Sequence, residues 1–240
     1  MSLRKVRFLN LDFTSASSSS DLFDNLILNP CRVHFAAVST VDSTFRDSEL
    51  QSILSTGITL VDSTPLLIFL KRIDPDFKAL RGTDFFRFAL RHGSRPINHF
   101  VIGSTIENYN ALKSIMSAGD NKNLLVGHIS PPFGEDFLVS TEMVERIKKA
   151  KPDLIWICLG SPKQDYAAYL LHNELQISLV CVGAAIDFIT GRIPEAPRML
   201  HYSGFEWIFR LIVEPKRLWK RYLFGNFNFL MKALMSYFQR

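Results

Sequence analysis

The chain alternates between short, continuously apolar runs and longer segments whose apolar residues recur with helical spacing. The apolar runs predict strands, because they are short and end at glycine or at a polar residue. Their apolar residues are consecutive rather than alternating, which is typical of parallel strands covered by helices on both faces. We therefore predict an α/β fold, a Rossmann-like parallel sheet with helices on both faces. The predicted strands are residues 33–38, 58–62, 100–103, 124–127, 154–160 and 177–183, and the main helical segments are residues 45–54, 66–73, 107–116, 140–150 and 163–175.

The strand pattern does not continue to the end of the chain. Residues 203–239 read as two or three helices with breaks near Pro215 and Gly225. Proline and glycine interrupt helices, because proline lacks the backbone N–H and glycine is conformationally free. We predict a Rossmann-like core over residues 1–193 and a helical C-terminal appendage over residues 194–240.

Positive charge is concentrated in the predicted appendage. The whole chain carries a formal net charge of +5, whereas from Arg192 onwards there are nine Lys and Arg residues and three acids, which gives +6. The same stretch is rich in Trp, Tyr and Phe. A basic and aromatic segment favours an anionic partner. Composition leaves three such partners open: nucleic acid, an anionic membrane surface or a phosphorylated ligand.

Composition narrows the class of protein further. No apolar run approaches the ~18 residues of a membrane-spanning helix, and the first ten residues lack the long apolar stretch of a secretion signal. Three cysteines cannot form a disulfide framework, so we expect reduced thiols in a cytoplasmic protein. No Cys/His cluster has zinc-site spacing, and the GxGxxG and GxxxxGK[ST] motifs are missing, so a dinucleotide oxidoreductase or a P-loop enzyme is unsupported.

Glycines and polar residues gather where the predicted strands end. Ligands of parallel sheets bind at the carboxyl ends of the strands, where glycine lets backbone N–H groups approach and helix N-termini favour anions. This pattern predicts a phosphate-bearing ligand such as a nucleotide, although glycine also punctuates ordinary strand-to-helix turns. Asp62 could serve as a general base or metal ligand, or could cap the helix that follows. Asp187 is equally ambiguous and could hold a ribose or a base edge.

Several strings in the second half of the chain resemble motifs of the WecG/TagA/CpsF family of bacterial glycosyltransferases. The resemblance covers roughly residues 35–230, with the strings in family order and spacing. It is strongest from residue 124 onwards. The strings that carry it are LGSPKQD at residues 159–165, VGAAIDFITG at 182–191, APR at 196–198, GFEWIFRL at 204–211 and EPKRLWKRY at 214–222, with GHISPPFG at 127–134 and GTD at 82–84 upstream.

The resemblance implies a specific reaction. Family members transfer an N-acetylmannosamine-type sugar, with inversion, from a UDP donor to a polyprenyl-diphosphate-linked N-acetylglucosamine in cell-surface polysaccharide or teichoic acid synthesis. The family's catalytic aspartate falls on Asp62, which would be the general base. No metal and no cofactor are implied, since the UDP-sugar is a substrate. The substrate-binding candidates are Thr40, Gly103, Ser104, Gly127, Gln164 and Asp187 on the nucleotide and donor side, and Arg210, Arg217, Lys220 and Arg221 on the appendage, which could grip either diphosphate.

The resemblance also implies partners and a location. The appendage would meet the inner face of the cell membrane, where each near-surface cation contributes about 1 kcal/mol toward anionic lipid. Nucleic acid is disfavoured, because no nucleic-acid motif occurs and the basic residues do not form a single run. An assembly of several copies is also compatible with the sequence.

Two residues depart from the family pattern on the donor side. Ser63 stands where the family has a glycine, and Thr40 stands where it has an asparagine. An arginine that the family places shortly before the residue 82–84 string has no clean match, and Arg81 is the nearest candidate. These departures leave one alternative open: a relative that binds nucleotide-sugar or lipid without catalysis, or with altered specificity.

Overall fold

The computed structural model describes residues 4–16, 18–118, 122–131, 139–201, 203, 205–220, 229 and 231–233, with the side chains of Arg217 and Lys220 left out. Strands and helices alternate through most of this length, as the sequence predicts. The strands are β1 (Arg4–Phe8), β2 (Leu11–Ser15), β3 (Arg32–Ala36), β4 (Ile58–Val61), β5 (Asn98–Gly103), β6 (Leu124–Ile129), β7 (Leu154–Cys158) and β8 (Ser178–Cys181). The helices are α1 (Ser19–Leu28), α2 (Val38–Thr44), α3 (Ser48–Ser55), α4 (Thr64–Ile73), α5 (Gly82–Ala89), α6 (Ile106–Ser117), α7 (Thr141–Ala150), α8 (Lys163–Leu175), α9 (Ala185–Ile189), α10 (Glu206–Val213) and α11 (Pro215–Lys220), with a 3-10 turn at Arg198–Leu200.

Six of the strands form one parallel sheet in the order β4-β3-β8-β7-β5-β6. Parallel pairing places the carboxyl ends of all six strands at the same edge of the sheet. The order brings the last strand, β8, beside the first strand of the sheet, β3. The loops that follow β3, β4, β7 and β8 are therefore neighbours, whereas those that follow β5 and β6 lie at the other half of the sheet.

Helices cover both faces of this sheet. On β7, Trp156 packs with Phe85 and Phe86 of α5, while its neighbour Ile155 packs in a second cluster with Leu171 of α8. Successive side chains of a strand point to opposite faces, so this division shows two buried faces. All five of these side chains are at most 2% exposed. The predicted α/β class, with continuously apolar strands in a parallel sheet, is confirmed.

The structure adds an element that the sequence pattern did not indicate. β1 and β2 form an antiparallel hairpin outside the main sheet, with Val6 paired to Phe13. Arg4, Lys5 and Arg7 interrupt the apolar residues of β1, so this strand lacks the continuous apolar run by which the strands of the main sheet were predicted. Phe8, Leu11 and Phe13 are buried in a cluster with α4, so the hairpin extends the core beyond the sheet.

Two of the differences between predicted and observed strand ends involve candidate site residues. β3 ends at Ala36, and Val38 already begins α2, which places Thr40 in the first turn of a helix. β6 continues to Ile129, so Gly127 lies inside the strand rather than at its end. A Cβ at Gly127 would overlap the ring of Phe100 on β5, so this glycine is required by close packing between strands.

The C-terminal segment is helical where it is described. α10 and α11 meet at Glu214-Pro215, where the sequence predicts a break, while the second predicted break at Gly225 lies outside the described residues. Phe229 and Ala233 are buried in the same cluster as β1 and α4, so contacts cross the predicted division at residues 193 and 194. Within the described ranges, no helix has the length and apolarity that a membrane span requires.

Candidate active site

A cavity of about 480 Å³ opens at the carboxyl ends of β3, β4, β7 and β8. It is built from the loops that join these strands to α2, α4, α8 and α9. Helices that follow parallel strands begin near the strand ends, so their unpaired N–H groups gather around the cavity. Such N-termini favour anionic ligands. The C-terminal helices also contribute to the lining, through Glu206, Trp207 and Arg210 of α10 and Leu218 of α11.

Asp62 lines the cavity directly after β4. Its backbone N–H donates to the carbonyl of Ala36 (3.0 Å), which continues the pairing between β4 and β3 by one residue. Its carboxyl oxygen Oδ1 accepts a hydrogen bond from the backbone N–H of Gly82 (3.3 Å), the first residue of α5. The N-cap of the following helix α4 is Ser63, so Asp62 does not cap that helix.

The surroundings of Asp62 raise the pKa of its carboxyl above the usual value for aspartate. Burial is the largest cause, because removal from water disfavours the charged form. The guanidinium of Arg210, the N–H of Gly82 and Arg81 act in the opposite direction, while Glu206 adds to the rise. A cavity carboxylate with a raised pKa is suited to accept a proton from a substrate hydroxyl.

Arg81 connects this part of the site to α10. Its side chain is 5% exposed, and one guanidinium nitrogen lies 3.1 Å from Oε1 of Glu206. Arg210 is 3.3 Å from the same oxygen, and its guanidinium lies over the ring of Phe188 at 5.1 Å. A second guanidinium nitrogen of Arg81 contacts Glu195, Asp84 and the ring of His201. These ion pairs hold α10 against the cavity and keep Arg210 near Asp62.

The turn between β7 and α8 forms another wall of the cavity. Gly160 has φ +85°, a left-handed conformation that favours glycine, and Ser161, Pro162 and Lys163 follow it along the wall. Gln164 is buried, and its side-chain oxygen accepts a hydrogen bond from the N–H of Gly183 (3.0 Å), which ties this turn to the loop after β8. Lys163 and Arg210 bring two cationic side chains to the lining.

A carboxylate with a raised pKa and two cations thus share one cavity with several helix N-termini. The sequence profile described as "Glycosyl transferase WecG/TagA/CpsF family" matches residues 3–240 of this chain. The chain belongs to this family. It is therefore a glycosyltransferase.

Three relatives illustrate the similarity within the family. A protein of Bacillus subtilis (strain 168) is 24% identical over 202 residues, which cover 78% of this chain and 75% of that protein. A protein of Bacillus spizizenii is 30% identical over 83 residues (34% of this chain, 32% of the relative). One of Staphylococcus aureus (strain NCTC 8325) is 31% identical over 77 residues (32% and 30%). All three are named N-acetylglucosaminyldiphosphoundecaprenol N-acetyl-beta-D-mannosaminyltransferase.

The structure brings four of the predicted site residues of this glycosyltransferase into the cavity: Asp62, Thr40, Gln164 and Arg210. Thr40 approaches from the first turn of α2 and the others from three separate segments of the chain. Lys163, Glu206 and Trp207 also line the cavity, although the sequence did not single them out as site residues. The motif at residues 159–165 contains Lys163 and was the available signal for it. The pairing of Glu206 with Arg81 spans 125 positions and leaves no local signal.

Four other predicted site residues lie outside the cavity lining. Gly103 is the last residue of β5 and Ser104 follows it, Gly127 lies within β6, and Asp187 is on α9. Asp187 accepts a hydrogen bond from Asn108 (2.6 Å), which also donates to the hydroxyl of Ser104 (2.8 Å). These polar groups form a separate cluster at the carboxyl end of β5, and their binding roles stay predictions.

The glycine at position 103 has a packing reason. It has φ +92°, and a Cβ there would lie 2.8 Å from the backbone of Cys158 on β7. Of the three predicted cationic contacts after Arg210, Arg217 and Lys220 lie on α11 with their side chains outside the described part of the chain, and Arg221 lies outside it altogether. Their roles in gripping a diphosphate therefore also stay predictions.

Ser63, one of the departures from the family pattern noted in the sequence, lines the cavity beside Asp62. Its hydroxyl oxygen is buried and has no hydrogen-bond partner among the described residues. A buried hydroxyl without a partner is unfavourable, so this group is available to a bound ligand.

One group of side chains has the composition of a metal site. Donor atoms of His34, Asp165 and Cys181 lie within 4.8 Å of one another, and all three residues are buried. However, Nδ1 of His34 lies only 2.7 Å from Oδ1 of Asp165, a hydrogen-bond distance, whereas two ligands of a tetrahedral zinc ion stand roughly 3.3 Å apart. The geometry fits a hydrogen-bonded network better than a metal centre. The expectation that the reaction needs no metal and no cofactor stays a prediction.

Proposed function

We propose that this glycosyltransferase moves an N-acetylmannosamine-type sugar from a UDP donor to a polyprenyl-diphosphate-linked N-acetylglucosamine, with inversion at the anomeric carbon. The relatives are named for this sugar and this lipid-linked acceptor. The observation that carries the proposal is the cavity that Asp62, with its raised pKa, shares with the cationic side chains of Lys163 and Arg210.

In this reaction, Asp62 would accept the proton of the acceptor hydroxyl. The freed oxygen then bonds to the anomeric carbon of the donor, and the bond from that carbon to the UDP oxygen breaks. A single displacement of this kind inverts the configuration and needs one base on the acceptor side. The raised pKa makes the Asp62 carboxylate a stronger base. At pH values well above that pKa, the carboxyl is still largely ionised.

The departing UDP carries the new negative charge, which must be stabilised where it develops. Lys163 and Arg210 are suited to this task, because both line the cavity and carry positive charge. The N-terminus of α8 adds the partial positive charge of a helix of 13 residues. The cationic residues predicted on and after α11 would extend the same field.

The acceptor is an amphiphile, and α10 offers a surface for its apolar part and for the membrane that contains it. Phe205, Ile208, Ile212 and Trp219 are exposed by 37–73% on α10, on α11 and directly before α10. Tryptophan and basic residues on short amphipathic helices suit the headgroup layer of a membrane. We propose that this surface, named here the α10 apolar surface, places the enzyme at the inner face of the cell membrane.

Replacing Asp62 tests the chemistry. Asp62→Asn keeps the size of the side chain and removes its proton acceptor, so we expect kcat to fall by about 10³-fold, within the range for loss of a general base. The dissociation constant for UDP should change by less than about twofold, because uncharged Asn leaves the cationic side untouched. The assay measures UDP release from UDP-N-acetylmannosamine with a short-chain lipid-diphosphate-N-acetylglucosamine acceptor, and calorimetry measures UDP binding.

Asp153→Asn is the matched control. Asp153 is a partly buried carboxylate that pairs with Arg95 at the amino end of β7, far along the strand from the cavity. We expect this variant to keep the wild-type rate. A wild-type rate in Asp62→Asn would show that Asp62 is not the base. A wild-type protein that binds UDP-sugar but releases no UDP with any donor of a UDP-sugar panel would favour the non-catalytic alternative.

A further inference from the structure

A buried chain of hydrogen bonds connects the turn at the start of α8 to the interior of the sheet. His34, in the middle of β3, lies 2.7 Å through Nδ1 from Oδ1 of Asp165 on α8. The other carboxyl oxygen of Asp165 accepts a hydrogen bond from the hydroxyl of Ser161, also at 2.7 Å. His34 is 0% and Asp165 is 1% exposed. The chain therefore runs from the centre of the sheet to a residue of the cavity wall.

The two ends of this chain have different surroundings. Ser161 lines the cavity, together with Pro162, Lys163 and Gln164 that follow it. His34 and Asp165 do not belong to the lining and lie one layer below it. A buried pair that served packing alone would need no connection to the cavity wall, whereas this one ends on the turn that carries Lys163.

The chain also has a defined direction of donation. A buried carboxylate needs a donor for each of its oxygens, because removal from water leaves it without other partners. Ser161 supplies one hydroxyl donor, so Nδ1 of His34 must carry a hydrogen and supply the other. The second ring nitrogen of His34, Nε2, is buried without a hydrogen-bond partner among the described residues. The contact with Asp165 is therefore the one hydrogen bond that the described residues offer to this ring.

We propose that His34 is a positioning residue for the transfer reaction: through Asp165 it fixes Ser161, and with it the Gly160–Lys163 turn that holds the diphosphate of the donor. This inference rests on the proposed function. Without the His34 donor, Oδ1 of Asp165 loses its hydrogen-bond partner, the carboxyl turns, and Ser161 loses its anchor. The diphosphate then meets a less ordered turn, and its binding weakens.

Three variants of the full chain test this role through the dissociation constant for UDP, measured by calorimetry. His34→Leu fills the space without a donor and should raise the UDP dissociation constant about tenfold. His34→Asn places an amide N–H where Nδ1 stands, so its constant should stay within about threefold of the wild type. Ser161→Ala removes the hydroxyl at the cavity end of the hydrogen-bond chain, and it should weaken UDP binding to a similar degree as His34→Leu.

His99→Leu is the matched control for burial. His99 is also fully buried in the sheet, on β5, and its ring accepts a hydrogen bond from the indole of Trp156 (3.1 Å). We expect both His99→Leu and His34→Leu to lower the melting temperature. In His99→Leu, however, the UDP dissociation constant should stay within about twofold of the wild type. Equal weakening of UDP binding by His99→Leu would show that lost stability, and not lost positioning, is responsible.

The double variant His34→Leu/Ser161→Ala distinguishes a connected chain from two separate effects. Because both changes act through Asp165, the loss of UDP affinity should be about that of either single variant, whereas multiplied losses would overturn the proposal. Unchanged UDP binding in folded His34→Leu would also overturn it. If His34→Leu does not fold, Ser161→Ala carries the test, and unchanged binding there overturns the proposal. A wild-type chain that binds no UDP would overturn the proposed function and this inference together.

Discussion

At the scale of single residues, two opposing effects set the proton affinity of the Asp62 carboxyl. Burial in the cavity raises its pKa, while the guanidinium of Arg210 is the largest effect that lowers it. Arg210 is held in place by Glu206, which itself raises the pKa of Asp62. The base is therefore tuned by a side chain from α10, and not only by the loop that carries it.

This arrangement predicts how activity depends on pH. Asp62 acts as a base only when deprotonated, so kcat/KM should fall as the pH drops through its raised pKa. Arg210→Gln removes the positive charge, the pKa rises further, and the acidic limb of the kcat/KM profile should move to higher pH. The measurement is UDP release across roughly pH 4 to 9, a range that starts near the ordinary pKa of an aspartate and extends well above it.

Arg192→Gln is the control for this experiment. Arg192 is exposed and lies 3.8 Å from Asp187, in the separate polar cluster after β5. Its loss should leave the acidic limb where it is in the wild type. An acidic limb that does not move in Arg210→Gln would contradict the assignment of Asp62 as the titrating base.

At the scale of elements, the C-terminal segment is part of the core as well as a border of the site. Phe229 packs against Phe8 of β1 and Phe69 of α4, with ring centroids 6.3 and 5.9 Å away. Lys232 pairs with the buried carboxylate of Asp42 on α2 (2.8 Å). The same helix α2 carries Thr40 into the cavity, so this segment supports a wall of the site from behind.

Phe229→Ala should lower the free energy of unfolding by about 3 kcal/mol, because it removes a nearly fully buried ring from a packed cluster. Chemical denaturation of the full chain measures this change. Met231→Ala, two positions along and 47% exposed, should change the stability by less than about 0.5 kcal/mol. Equal stability of Phe229→Ala and the wild type would show that the C-terminal segment folds apart from the core, as an independent appendage would.

At the scale of the whole molecule, the C-terminal stretch that lines the cavity through α10 and α11 also has an excess of basic residues in its sequence. The chain from Arg192 onwards carries a charge of +6, whereas the remaining residues sum to −1. The α10 apolar surface lies in the same stretch, and α10 also contributes Glu206, Trp207 and Arg210 to the cavity lining. This asymmetry is the basis for the proposed orientation of the cavity toward an anionic membrane surface.

Binding to vesicles tests this orientation. Ile208→Ser/Ile212→Ser removes two exposed apolar side chains of α10 without changing the charge, so co-sedimentation with anionic vesicles should drop several-fold. UDP release with a water-soluble acceptor should stay near the wild-type rate. Ile68→Ser/Ile73→Ser, two exposed isoleucines of α4, is the matched control and should sediment like the wild type. Unchanged sedimentation of the α10 variant would contradict the proposed contact with the membrane.

The sequence by itself determined the class of fold, the position of Asp62 at the carboxyl end of a strand, and the family. These features are local: continuous apolar runs identify buried strands, and short motifs keep their residue order whatever lies around them. It also indicated Gln164, Arg210 and Thr40, which the cavity brings together with Asp62 from four segments.

Only the tertiary structure decided which strand ends are neighbours. The order β4-β3-β8-β7-β5-β6 places Asp62 near the turn after β7 and leaves Gly103 and Gly127 at the other half of the sheet. It also pairs Arg81 with Glu206, and His34 with Asp165 over 131 positions. Hydrophobic periodicity reports which residues are buried but not which strand lies beside which, because that choice depends on packing between segments distant in the chain.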